Sequence, residues 1–215
     1  MRVPKRPRYH HGDLRRVVLD ASLALIAEEG VAALSLREVA RRAGVTHGAP
    51  YHHFADRGAI LAAIAEEGFA LLRGEMLAQI EAAGPLARDR FEACGRGYFG
   101  FAVAHPAHFR VMFRPELSDP ASHPAVDRAA SAALQVLVDV VADGKARGAA
   151  PLVDPLALVV TGWSSAHGLA ALWIDGPLSR GMSGLPANPL EMAIMVSRTL
   201  GVLFAAARRT EAAQT

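Results

Sequence analysis

Apolar positions recur every three or four residues through most of the chain, and this spacing predicts helices. Together with the Gly and Pro breaks, it places them at residues 12–29, 36–43, 47–54, 57–83, 88–104, 107–114, 125–147, 155–175 and 190–208. Ala and Leu are abundant, and no segment alternates as a half-buried strand would. The sequence therefore predicts an all-α protein.

The short helices at residues 36–43 and 47–54 are joined by a tight turn. Ser35 is a suitable N-cap for the first helix, Gly44 is a suitable left-handed stop after it, and Thr46 is a suitable N-cap for the second. Two short helices joined by a Gly-containing turn indicate a helix-turn-helix, in which the second helix enters the major groove of DNA.

The predicted second helix has side chains suited to DNA. Small or polar residues stand at its start, where side chains meet base edges, namely His47, Gly48 and Ala49. Three more residues can hydrogen-bond bases or phosphates, namely Tyr51, His52 and His53. An ordinary helical hairpin with a solvated polar face has the same spacing, so this pattern alone leaves both interpretations open.

Charge is unevenly distributed along the chain. Residues 1–16 hold six Lys or Arg against one Asp, whereas residues 58–215 hold 13 basic and 15 acidic residues. Positive charge beside a helix-turn-helix favours phosphate contact. We therefore expect the N-terminal residues to form a DNA-contacting arm, although a solvated basic tail has the same composition.

Residues 9–61 resemble the DNA-binding domain of the TetR (tetracycline-repressor) family of bacterial transcription regulators. The matching blocks are LSLREVARRAGVT, then YHHF, then the helix that opens after Asp56 and Arg57. Two positions depart from the family pattern, since Pro50 stands where Leu or Ile is usual and Gly58 where an acidic residue is common. Pro50 removes one N–H near the start of the second helix, which could change that helix's tilt in the groove.

The resemblance implies a division of labour and a set of contacts. Residues 1–56 would be the arm and DNA-binding domain, and residues 57–215 the effector-binding and dimerisation domain. Contacts to bases or phosphates are implied at Arg37, Thr46, His47, Gly48 and His52, and contacts mainly to phosphates at Tyr51, His53 and Arg57. The implied partner is a near-palindromic double-stranded DNA operator, read by a homodimer that forms through the last two long helices.

The C-terminal part carries aromatic residues among many Ala and Gly residues, a composition that allows voids between bulky side chains. We predict that a small, largely apolar effector binds there and releases DNA, at Phe91, Tyr98, Phe101, Phe109, Met112, Phe113, Trp163 and His167. The run GWSSAHGLAAL resembles the Trp-His-Gly signature of one C-terminal subgroup of the family. The same aromatic stripe is also typical of an ordinary core, and the alternative function is a DNA-binding architectural or partner-recruiting protein without a small ligand.

Other chemistries fit the sequence less well. Ser164, His167 and Asp175 could suggest a hydrolase, but no G-x-S-x-G elbow carries the serine, so we expect no enzyme. His105 and His108 could share a helix face, yet no nearby cysteine completes a metal site with them, and we expect neither metal nor cofactor.

The sequence also bears on the compartment. A single cysteine, Cys94, cannot form an internal disulfide and favours a reducing compartment. The basic N-terminus lacks the apolar core of a signal peptide. The apolar stretch at residues 152–174 is interrupted by polar residues and lacks a flanking basic cluster. We therefore expect a cytoplasmic protein outside the membrane, with this helix buried in a core or a dimer interface.

Overall fold

The computed structural model of the chain describes residues 14–149, 153–181 and 183–206. Over these residues the helices are α1 (Leu14–Glu29), α2 (Leu36–Ala43), α3 (Arg57–Ala82), α4 (Ala87–Ala104), α5 (Pro106–Met112), α6 (Pro124–Ala146), α7 (Pro155–Ile174) and α8 (Pro189–Ala206). Short 3₁₀ turns lie at Val31–Ala33, Ala49–His52, Pro115–Leu117 and Leu178–Arg180. The described residues contain no strand, and the all-α prediction is confirmed.

The helix ends follow the capping residues in the sequence. The Ser35 hydroxyl accepts a hydrogen bond from the Glu38 N–H at 3.2 Å, and Gly44 ends α2 in the left-handed region with φ of 67°. The Asp154 carboxylate accepts from the Leu156 N–H at 2.7 Å, with proline at the first position of α7. The bounds of α2, α3 and α7 lie within one residue of the predicted ones. The predicted start at residue 12 and end at residue 208 fall outside the described residues.

Contacts group the chain into two compact units. The first holds the described residues up to Glu66 together with Ala107–Val126, and the second holds Glu67–Pro106 and the described residues from Asp127 onward. The fully buried core of the first unit comes from α1, α2 and the start of α3, and includes Val18, Leu19, Leu25, Ile26, Val39, Ile60, Leu61 and Ile64. Within this unit α5 adds the buried side chains Phe109, Val111 and Met112.

In the second unit α4 packs against both α7 and α8. Gly97 permits a close approach of α3 and α4, because a Cβ at this position would lie 2.7 Å from the Cα of Met76. A Cβ on Gly162 would lie 3.0 Å from the Phe91 ring. The composition allows voids beside such glycines, but at these two positions backbone or an aromatic ring fills the space.

Cys94 is buried in the second unit. Its thiol donates to the Met76 sulfur at 3.7 Å. Burial raises the pKa of the Cys94 thiol to about 12, because the thiolate would lose its hydration. A buried thiol of this kind packs as a small apolar side chain.

Candidate functional sites

The turn after α2 is built by a left-handed glycine. The Gly44 N–H points back to the carbonyls of Ala40 and Arg41, and the Val45 N–H bonds to the Ala40 carbonyl at 3.1 Å. These bonds satisfy two carbonyls of the last turn of α2 and turn the chain sharply. Residues 46–53, which we name the recognition segment, follow this turn directly.

The recognition segment contains a 3₁₀ turn at Ala49–His52, and the predicted α-helix at residues 47–54 is wrong. Ala49 N–H bonds to the Thr46 carbonyl at 2.9 Å and Tyr51 N–H to the Gly48 carbonyl at 3.2 Å, both at three-residue spacing. Gly48 occupies the N-cap position without a side-chain hydrogen bond, so Thr46 does not cap as predicted. Pro50 has no N–H with which to close an α-helical bond to Thr46, and this removes one bond of the predicted helix.

Two buried side chains hold the recognition segment and the residue after it. Pro50 and Phe54 are buried, and the Arg15 guanidinium lies over the Phe54 ring at 5.5 Å. The members predicted to meet DNA are all exposed, namely Thr46, His47, Gly48, Tyr51, His52 and His53. His47 and Tyr51 stand edge to face, with ring centroids 6.2 Å apart. The structure therefore brings six of the eight predicted contact residues together on one short surface.

The three arginines of α2 differ in their hydrogen-bond and ion-pair partners. Arg41 is hydrogen-bonded to Glu38, one turn before it, and Arg42 pairs with Glu28 and Glu29 of α1. Arg37 is exposed and has no hydrogen bond or ion pair to the described residues. Among the three, Arg37 therefore has the guanidinium most available for a phosphate. The predicted basic arm, residues 1–10, lies outside the described residues.

Arg57, the eighth predicted contact, is directed into the protein. Its Nε donates to the Leu34 carbonyl at 3.1 Å and its Nη2 to the Val31 carbonyl at 3.0 Å. Nη1 lies 3.9 Å from the Glu116 carboxylate. Arg57 therefore fixes the first turn of α3 to the segment that precedes α2. This role is not visible in the sequence, because the carbonyls it meets belong to residues 23 and 26 positions away.

In the second unit, Tyr98, Trp163 and His167 come together between α4 and α7. The Tyr98 hydroxyl lies 2.9 Å from His167 Nδ1, and the Trp163 side chain hydrogen-bonds the same tyrosine. Since the indole N–H can only donate, the hydroxyl accepts from Trp163 and its own hydrogen is available for the imidazole. Burial raises the pKa of Tyr98 and lowers the pKa of His167, so both side chains are held neutral.

The remaining predicted effector residues fall into two groups. Phe91 and Phe101 lie with Tyr98 in the second unit and are buried there, and Phe101 stacks on His105 with centroids 5.3 Å apart. Phe109, Met112 and Phe113 belong to the first unit, where the two phenylalanine rings are 5.5 Å apart. The Tyr98, Trp163 and His167 cluster is thus the part of the predicted set that carries polar groups in one place.

The structure also bears on the hydrolase and metal-site interpretations. Nδ1 of His167 is engaged with Tyr98, and Asp175 ends α7 two helical turns later, which corresponds to about 12 Å along the axis. Across residues 14–149, 153–181 and 183–206, no group of three His, Cys, Asp or Glu could hold a metal ion.

Comparison with known proteins identifies the family. Residues 18–64 match the model described as bacterial regulatory proteins, tetR family, and residues 91–196 match the tetracyclin repressor-like C-terminal domain. Over 54 residues the chain is 43% identical to the HTH-type transcriptional regulator AcrR of Shigella flexneri, covering 25% of each protein. Over 85 residues it is 32% identical to BetI of Rhizobium meliloti (strain 1021), covering 40% of this chain and 41% of that regulator. The chain thus matches less than half the length of either curated relative.

The fold agrees over a much longer span. A solved structure of a protein with unknown function from Rhodococcus sp. RHA1 is 34% identical, with a TM-score of 0.78, and the match covers 93% of this chain and 100% of that one. The resemblance to the Trp-His-Gly subgroup stays a prediction. Both matched domains and the fold over 93% of the chain agree, and the chain belongs to the TetR family of DNA-binding transcriptional regulators.

Proposed function

We propose that this protein is a homodimeric repressor that binds a near-palindromic operator and is released by a small, largely apolar effector. The observation that carries the proposal is the recognition segment. It presents His47, Tyr51, His52 and His53 to solvent, near the exposed Arg37 of α2, and its own Pro50 is buried. Exposed polar side chains on a rigid support are what base and phosphate contacts require.

Specificity and exposed apolar surface both support two-fold assembly. One recognition segment covers too few base pairs for genomic specificity, so a dimer on two half-sites is expected. α7 and α8 expose large apolar side chains in the single chain, among them Leu156, Val160, Leu172, Leu190, Met195 and Val202. By length and composition alone, α7 could cross a membrane, and 22% of its most apolar window is buried. One such helix is weak evidence for a membrane span, because core helices of soluble proteins pass the same test. A second copy seated on α7 and α8 would cover this surface.

The effector proposal centres on Tyr98, Trp163 and His167. Neutral polar groups set among buried aromatics are the pattern that orients a ligand in an apolar site. α3 is one continuous helix from the residues beside the recognition segment into the second unit. An effector that favours a different spacing of the two recognition segments would release DNA, because half-sites lie about 34 Å apart per helical turn. The effector must bind the non-binding form more tightly, since equal affinity for both forms shifts nothing.

The close packing of Gly162 on Phe91 favours a second function. Side chains that fill the space beside Phe91 leave no room for a small ligand there, which suits a DNA-binding architectural or partner-recruiting protein without one. The two proposals share the recognition segment and differ at the Tyr98 cluster.

The decisive experiment begins with footprinting on DNA that flanks the protein's own gene, followed by binding titrations on the protected site. His47→Ala should change base preference by about 1–3 kcal/mol, the discrimination of one good base contact. Arg128→Gln, an exposed change on α6, is the matched control and should leave preference unchanged. Unaltered preference in His47→Ala would contradict the proposed docking.

Effector release is tested with the same operator. Thermal-shift screening of hydrophobic metabolites and drugs should give compounds that stabilise the protein and lower operator affinity. Trp163→Ala should remove this response and leave operator binding in place. If every stabilising compound left operator affinity unchanged, the ligand-free alternative would be favoured.

A further inference from the structure

The recognition segment carries three exposed histidines, namely His47, His52 and His53. Histidine is the side chain whose ordinary change of charge falls between about pH 5 and 8. Residues 44–55 contain no Asp, Glu, Lys or Arg, so the charge of this stretch is set by its histidines. Its other titratable side chain is Tyr51, edge to face with His47, and tyrosine ionises only in alkaline solution. The surface expected to meet DNA therefore gains positive charge as pH falls.

The helices that pack against this segment offer its histidines no carboxylate that lacks a partner. α1 and α2 contact the 3₁₀ turn, and the described residues of these two helices carry four carboxylates. Each is paired with an arginine of the same two helices, namely Asp20 with Arg16, Glu28 and Glu29 with Arg42, and Glu38 with Arg41. Asp56, the first carboxylate after the segment, caps α3 by accepting from the Ala59 N–H at 2.8 Å.

Two further arginines on these helices form no ion pair within the described residues. Arg15 lies over the ring of Phe54, the residue after His53, and Arg37 is exposed in the first turn of α2. Positive neighbours disfavour a protonated imidazole in the free protein, whereas the phosphates of DNA favour it. The bound chain therefore holds more protons on its histidines than the free chain, and binding takes up the difference.

We propose that proton uptake by His47, His52 and His53 couples operator affinity to pH, so that the protein binds DNA more tightly as pH falls. This inference rests on the docking of the recognition segment in the proposed function, and it adds a control that needs no effector. The sign follows from linkage, because a complex that holds more protons than its free components is favoured where protons are plentiful. A neutral imidazole that accepted a hydrogen bond from a base would give the opposite sign.

Fluorescence anisotropy titrations on the footprinted operator are the test, at constant ionic strength and between about pH 8 and about pH 6. If DNA favours the protonated form of one imidazole in each subunit by about tenfold, the affinity of the dimer rises more than about tenfold over this range. The combined variant His47→Gln, His52→Gln and His53→Gln should lose most of this gain. A duplex of unrelated sequence is the second probe, because phosphate contacts persist on it even if the variant no longer reads the operator.

The matched control is the pair His10→Gln and His11→Gln, which lies outside the recognition segment and should keep most of the gain. Urea unfolding of each variant at both pH values checks that the fold persists. Parent affinity that stayed constant or fell with acid would overturn the proposal, and so would a combined variant that kept the full gain on both duplexes. Absence of DNA binding at either pH would contradict the proposed function itself, and the inference with it.

Discussion

Replacing Arg57 with alanine separates two roles that the sequence and the structure assign to this residue. The sequence resemblance implies a phosphate contact, whereas the structure directs the guanidinium to the carbonyls of Leu34 and Val31. An internal anchor and a phosphate contact predict different dependences of operator binding on salt concentration. The substitution therefore tests whether the contact geometry or the family pattern describes this residue.

The expected loss can be worked from the contacts. Hydrogen bonds from a charged donor contribute about 1.5–3 kcal/mol each. The Arg57 side chain is 38% exposed, so water partly replaces these bonds, and the ion pair to Glu116 at 3.9 Å adds little. Two such bonds would contribute at least about 3 kcal/mol if fully buried, and with the discount for exposure we expect Arg57→Ala to lower the free energy of unfolding by about 2–3 kcal/mol.

The salt dependence of operator binding provides the discriminating measurement. Fluorescence anisotropy titrations across a range of KCl concentrations give log K against log salt, whose slope changes by about 0.9 per phosphate contact. Loss of one contact per subunit would reduce the slope of a dimer by about 1.8. We expect Arg57→Ala to weaken binding with an unchanged slope, and Arg37→Ala, the matched surface arginine, to reduce the slope. A shallower slope for Arg57→Ala with unaltered urea unfolding would refute the internal-anchor assignment.

Three further predictions concern packing, assembly and pH. Gly97→Ala should destabilise the protein by about 1–3 kcal/mol in urea unfolding, because its Cβ would meet the α3 backbone. Gly100→Ala is the control, since a Cβ there would meet nothing within 4 Å. Equal effects of the two substitutions would contradict the close approach of α3 and α4. Val160→Arg and Val202→Arg, at exposed apolar positions of α7 and α8, should give monomers in analytical ultracentrifugation. Leu86→Arg, at an exposed position outside these helices, should leave the dimer intact. An unchanged dimer in all three variants would place the interface elsewhere. His167 has a lowered pKa in the folded state, so its neutral form contributes stability above the unfolded pKa of about 6.5, and this is lost as pH falls toward the folded pKa. His167→Gln should therefore reduce the acid-side decline of the urea midpoint, and an identical decline would show that other groups cause it.

Features set by neighbours in sequence could be predicted, and those set by distant residues could not. Ser35, Gly44 and Asp154 fix helix ends through bonds within three or four residues, and these ends are where the pattern predicts them. Pro50 departs from the family pattern in the sequence alone, but the change from an α-helix to a 3₁₀ turn depends on the whole set of local bonds around it.

Long-range contacts account for what sequence reasoning missed at the site. The grouping of Ala107–Val126 with the N-terminal residues has no signature in the sequence, and it divides the predicted aromatic stripe between two units. Tyr98, Trp163 and His167 were predicted together because they are the polar-capable residues among apolar helices. Their meeting through one hydroxyl depends on the packing of α4 against α7.

The buried state of Cys94 has a practical consequence for measuring motion in solution. With a pKa of about 12, its thiolate fraction at neutral pH is smaller than that of an exposed cysteine by a factor on the order of a thousand. Thiol-reactive spin labels and fluorophores attack the thiolate, so the native chain should remain unlabelled during a short reaction. A cysteine introduced at exposed His53 would then carry the only probe on each subunit. The distance between two such probes would report the separation of the recognition segments directly, with and without effector.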